Sequence, residues 1–191
     1  MLSLNAQGHG TAGLPQPSPA LAGQLEAFRP GGFAPPAALV DEARALLPAY
    51  TRALSPLPVL ELTSRVEEFA EMLNAGVVNP LPGVALQLRC VALVTACATV
   101  PALAWSEATV RRALMAFTFF PSAAQLVALL EAQCGEARAT QGRLRLMVAE
   151  ADRRMARAQA QELRWAQWEQ HHAPQPVYNP VDNVDCMQNR T

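Results

Sequence analysis

Between residues 37 and 135, apolar side chains recur at helical spacing, and proline-bearing turns interrupt them about every twenty residues. This is the feature that most restricts the fold. A 3.6-residue period cannot lie flat in a sheet, and each interruption forces a new helix direction. Leu39, Ala43, Leu46 and Tyr50 stripe the first segment, which Pro48 should kink or split. After the turn SPLP at 55–58, Val66, Phe69, Ala70 and Leu73 stripe a second helix over about 59–74. Ser64 and Glu67 have capping-box spacing, so regular helix is expected to begin there, and Asn74 and Gly76 are its stop residues. NPLPG at 79–83 leads into a helix over about 84–100 that is apolar on nearly every face, the pattern of a central bundle helix.

Pro101 ends that helix, and Trp105-Ser106-Glu107 opens the next with Ser106 as N-cap. Val110, Ala113, Leu114 and Phe117 form its expected buried stripe. The junction Phe119-Phe120-Pro121-Ser122 follows, with Ser122 and Gln125 in capping-box register, and Ala123, Leu126 and Leu130 stripe a helix that should stop near Gly135. From residue 141 the chain turns rich in Arg, Gln and Ala. Leu144, Val148, Ala151, Met155 and Ala158 step at heptad spacing, but the seam is short of large residues and its next step falls on Glu162.

These patterns give an all-α fold: an irregular small helical bundle over 37–135 followed by one long helix over 136–170. Residues 1–36 are rich in Pro, Gly, Ser and Gln and read as a disordered tail with at most a short helical patch at 20–28. Residues 171–191 read as a second disordered tail. No basic stretch followed by an apolar run opens the sequence, and no uninterrupted apolar segment reaches membrane-spanning length, so a cytoplasmic location without membrane contact is expected. Cys90, Cys97, Cys134 and Cys186 are then expected to be free thiols, the first two as small core hydrophobes on one helix face.

The search for chemistry returns little. His9, His171 and His172 fall in the expected tails, and His171, His172 and Cys186 match no structural zinc spacing. Ser106 and Ser122 are explained as caps. No phosphate-binding loop, dinucleotide fingerprint or nucleophile elbow is present. The expectation is therefore a protein that is no enzyme and needs no metal or cofactor. All 15 basic residues are arginine, in a chain whose formal charge is −1. With Ala and Pro also abundant, that reads as compositional bias, and the net charge draws the chain to no polyanion. Arg153, Arg154, Arg157 and Arg164 nevertheless gather on the long helix, diluted by Glu150, Asp152 and Glu162. Trp165 and Trp168 lie near its end, either packed back on the bundle or serving as partner anchors.

One resemblance adds a partner. Over about 58–135, the paired apolar helices, the Trp105-Ser106-Glu107 start leading into VRRALMAF, and the Phe119-Phe120-Pro121-Ser122-x-x-Gln125-Leu126 junction resemble small helical proteins of phage and prophage replication modules. The family is the helicase loader-and-inhibitor proteins. The resemblance implies non-enzymatic holding of a hexameric replicative helicase and its delivery to an origin, with helicase contact carried by the C-terminal region. The contact residues expected are Arg153, Arg154, Arg157, Arg164, Trp165 and Trp168, with Trp105, Ser106, Phe119, Phe120, Pro121, Ser122 and Gln125 as a structural junction. A DNA-binding regulator using the arginine-rich helix and a phage structural or assembly protein are the alternatives. The sequence leaves the oligomeric state open.

Overall fold

The computed structural model describes residues 14–172, and among these the chain is all α-helical. The helices are α1 (Pro19–Ala27), α2 (Ala37–Ala53), α3 (Val59–Gly76), α4 (Gly83–Ala96), α5 (Glu107–Ala116), α6 (Ala123–Ala132) and α7 (Gly135–His172), with a 3₁₀ turn at Ala102–Ala104. The chain divides into two compact units at Ala151/Asp152, within the continuous α7.

Prolines set the entry of three helices: Pro36, Pro58 and Pro82 occupy the N-cap positions of α2, α3 and α4, with ψ between 137° and 154°. The fixed φ of proline suits that extended entry. Helix α3 therefore starts at Val59 and not at Ser64, whose hydroxyl donates back to the Leu60 carbonyl at 3.4 Å, as serines inside helices do. Pro48 does not split α2.

The first unit contains two clusters of buried side chains. One joins α3, α4, α5 and α6 through Leu62, Val66, Phe69, Leu73, Leu93, Ala113, Leu126 and Leu130. The other joins α1, α2 and the first part of α7 through Leu21, Leu25, Phe28, Val40, Ala43, Leu46, Tyr50, Leu144 and Met147. This second cluster corrects the expectation for residues 1–36, since part of that stretch is core. Ser18 caps α1 by accepting from the Leu21 amide at 3.1 Å, and Pro19 sits in the first turn. Glu42 of α2 then holds the cap in place, accepting from the Ser18 amide at 2.7 Å and from its hydroxyl at 2.9 Å.

Loops are tied across the first unit. The Ala102 amide donates to the Ser55 carbonyl, and the Val78 amide to the Thr118 carbonyl. Asn74 does not end α3. Its side-chain amide donates to the Leu81 carbonyl at 3.0 Å and accepts from the Leu81 amide at 2.7 Å, pinning the NPLPG turn. Gly135 likewise begins α7 and does not merely stop α6.

Three buried stripes differ from expectation. Val40, not Leu39, leads the buried face of α2. The buried side of α5 is rotated toward Thr109 and Ala113, which leaves Leu114 exposed. Helix α4 is not central: Val84, Leu88 and Val91 are 73%, 70% and 67% exposed. Its buried side is the narrow one carrying Cys90 and Leu93, with Cys97 just past its end. An all-round apolar sequence sets no limit on how many neighbours a helix acquires.

Candidate functional site

The junction residues fall where local sequence rules put them. Ser106 caps α5, accepting from the Thr109 amide at 3.3 Å, and its hydroxyl lies 2.9 Å from the buried Thr109 Oγ1. Ser122 and Gln125 form both arms of a capping box on α6. Trp105 stands edge-on to Phe69 at 5.8 Å between ring centroids, and its indole N–H is buried with no acceptor. Pro121 is buried and Phe120 half-buried, whereas Phe119 is 61% exposed. These seven residues serve helix starts and packing, and they form no common cleft.

Three cysteines have a packing role. Cys90, Cys97 and Cys134 are buried and free, and burial raises each thiol pKa, that of Cys97 to about 11. A thiol held neutral in this way is a poor nucleophile. Cys186 lies outside the described residues, as does His9. Among the described residues, no three His, Cys, Asp or Glu side chains gather as metal ligands. A shallow depression of about 410 Å³ on α5, lined by Ala108, Arg111, Arg112, Met115 and Ala116, brings together no acid–base pair.

The arginines and tryptophans of the second unit form an arrangement of a different kind. Every residue of 155–172 is exposed, including Met155 at 51%, Leu163 at 65%, Trp165 at 57% and Trp168 at 53%. His171 and His172 lie in the last turn of α7 and not in a tail. Their Nδ1 atoms bond the carbonyls of Gln167 and Trp168 at 2.7 and 2.9 Å. Trp165 meets Trp168 edge-to-face at 5.8 Å, and His172 stacks on Trp168 at 4.6 Å with 15° between the planes.

Helical geometry sorts this segment by charge. At 3.6 residues per turn, Arg153, Arg154, Arg157, Arg164, Trp165, Trp168, His171 and His172 all fall within an arc of about 120°, and the only other residue in that arc is Gln161. Asp152, Glu162 and Glu169 fall outside it, among Ala, Gln, Met155 and Leu163. Asp152, Glu162 and Glu169 are therefore off the arginine face, whereas Glu150, which is buried, lies on the same side one turn before Arg153 and Arg154. The sequence does hold this signal, but only when the residues are mapped by angle and not by position.

The fold and this site together define a class: an all-α helical domain whose last helix carries an exposed arginine–aromatic face. Compared with known protein families, with curated proteins and with solved structures, the chain matches none. Among the described residues, no helix is long and apolar enough to cross a membrane.

Proposed function

We propose that this protein is a non-enzymatic adaptor that binds another protein through the C-terminal part of α7. The observation that carries this reading is the sorted arginine–tryptophan face on a helix segment whose residues from 155 onward are all exposed. Trp and Arg are the residue types that dominate binding energy at interfaces, and a helix is a rigid way to present them. Two exposed indoles in contact with each other form one apolar knob, preceded on the same helix face by Arg157 and Arg164. The partner proposed is a replicative helicase in the cytoplasm, on the likeness of residues 58–135 to the phage helicase loader-and-inhibitor proteins.

The test is a pull-down of tagged protein with a purified replicative helicase, read by size-exclusion chromatography with light scattering. The full chain is expected to form a stoichiometric complex. Trp165→Ala/Trp168→Ala and a chain ending at Ala151 are expected to lose it. No complex with the full chain rejects the helicase as partner, and undiminished binding by the shortened chain rejects α7 as the contact. DNA contact by the same arginines is the second reading, favoured by their clustering on one arc. It requires binding that weakens steeply with salt.

A further inference from the structure

We infer that the face of α7 bearing Arg157, Arg164, Trp165 and Trp168 recognises an acidic protein surface, specifically carboxylates bordering an apolar cleft. The inference rests on the adaptor reading and specifies its partner's chemistry.

Charge complementarity is the first argument. Over residues 152–172 the arc of about 120° holds arginines, tryptophans, histidines and one glutamine, and the carboxylates of that stretch lie outside the arc. Arg157 and Arg164 precede the indoles on the same face of the helix, so a partner that buries the indole pair and extends along that face sets its own groups against both guanidiniums. Carboxylates bind guanidinium through paired, charge-assisted hydrogen bonds, and other protein groups do so less strongly.

Ring geometry argues for a protein over a nucleic acid. Base recognition by aromatics needs an open ring face as a stacking platform. Here one face of Trp168 is covered by His172 at 4.6 Å, and Trp165 stands nearly perpendicular to Trp168 at 80°. The cluster is a knob suited to a cleft and not a row of open platforms. Asp152, Glu162 and Glu169 on the same helix, and a whole-chain charge of −1, also oppose a polyphosphate that wraps the helix.

The test uses the full chain and four labelled probes, read by fluorescence anisotropy and by tryptophan emission. The probes are a helical peptide with a leucine stripe flanked by glutamates, its lysine counterpart, a thymidine oligonucleotide and phosphatidylglycerol vesicles. The acidic peptide is expected to bind and to shift tryptophan emission to the blue. Arg157→Glu/Arg164→Glu and Trp165→Ala/Trp168→Ala are each expected to weaken binding at least about tenfold. Gln159→Ala/Gln170→Ala, on the other side of the helix, is expected to change it less than about twofold. Circular dichroism of each variant checks that the helix persists. Equal affinity for the lysine peptide, tighter binding of the oligonucleotide or the vesicles, or an unchanged affinity in Arg157→Glu/Arg164→Glu would overturn the inference. The helicase pull-down separates the two claims. A helicase complex that survives Arg157→Glu/Arg164→Glu sinks the acidic-surface inference and leaves the adaptor reading standing. Binding of the acidic peptide without any helicase complex upholds the inference and removes the helicase.

Discussion

Shortening the chain from its C-terminal end separates the part of α7 that builds the core from the part that does not. Leu144 and Met147 are 0% exposed and pack with Leu21, Leu25, Val40 and Ala43, whereas residues 155–172 are all exposed. A cut after Ala151 removes no buried side chain of the described residues, so it should cost far less than a cut that reaches the core part of α7. A cut after Thr140 removes Leu144 and Met147, each contributing about 1.5–3 kcal/mol by its burial. It also uncovers the α1 and α2 side chains against them, so the loss is at least about 3–6 kcal/mol. Set against a total stability of about 5–15 kcal/mol, that unfolds much or all of the second cluster. The single change Leu144→Ala should cost about 2–5 kcal/mol. Urea unfolding followed by far-UV circular dichroism reads all three. At a slope of about 1.5 kcal/mol per molar, a 3 kcal/mol loss moves the midpoint by about 2 M. If the chains ending at Thr140 and Ala151 unfold at the same midpoint, α7 contributes nothing to the core and the packing derived for it is wrong.

Three further outcomes are expected. Folding holds the Cys97 thiol neutral, raising its pKa from 9.0 to about 11, so this contribution is full below pH 9 and is lost as pH rises from 9 to 11. The loss is about 2–3 kcal/mol, and urea midpoints across that range should fall more steeply for the native chain than for Cys97→Ala. Glu42→Ala leaves the Ser18 amide and hydroxyl without their carboxylate acceptor and should cost about 1–3 kcal/mol, measured as a lower urea midpoint. Leu88→Gln, on the exposed face of α4, should change stability by less than about 0.5 kcal/mol, where a central helix would lose several.

The parts of the fold legible in the sequence were those fixed by local chemistry. The Ser106 cap, the Ser122–Gln125 box and the Val66-Phe69-Ala70-Leu73 stripe each follow from side chains within one or two turns, and each is found. The parts that depend on a distant neighbour were harder. Helix α1 sits in a stretch whose Pro and Gly content reads as linker, yet Leu21, Leu25 and Phe28 keep the i, i+4, i+7 spacing behind a Ser-Pro start. What makes this stretch core is the α2 and α7 surface that receives it, and Glu42, twenty-four residues away, that anchors it. Helix α4 errs in the opposite direction. Its sequence is apolar enough for a central position, but its neighbours cover only one side.

The α7 face belongs between these cases. Its residues were visible, but their relation was hidden by reading charge as a running tally. In such a tally Asp152, Glu162 and Glu169 cancel most of the arginine charge, and the helix looks like an ordinary solvated one. Helical geometry undoes the cancellation for Arg157 and Arg164, which point about 140–160° away from the nearest of these carboxylates along the chain on a helix roughly 10 Å across, a separation of about a Debye length at physiological salt. A partner approaching that side therefore meets the guanidiniums of Arg157 and Arg164 with Glu162 and Glu169 turned away from it. A chain with almost no net charge thus acquires one strongly basic, aromatic surface, and it does so only where α7 is helical. Anything that unwinds residues 152–172 mixes the two charge sets and removes the recognition surface without altering a single residue in it.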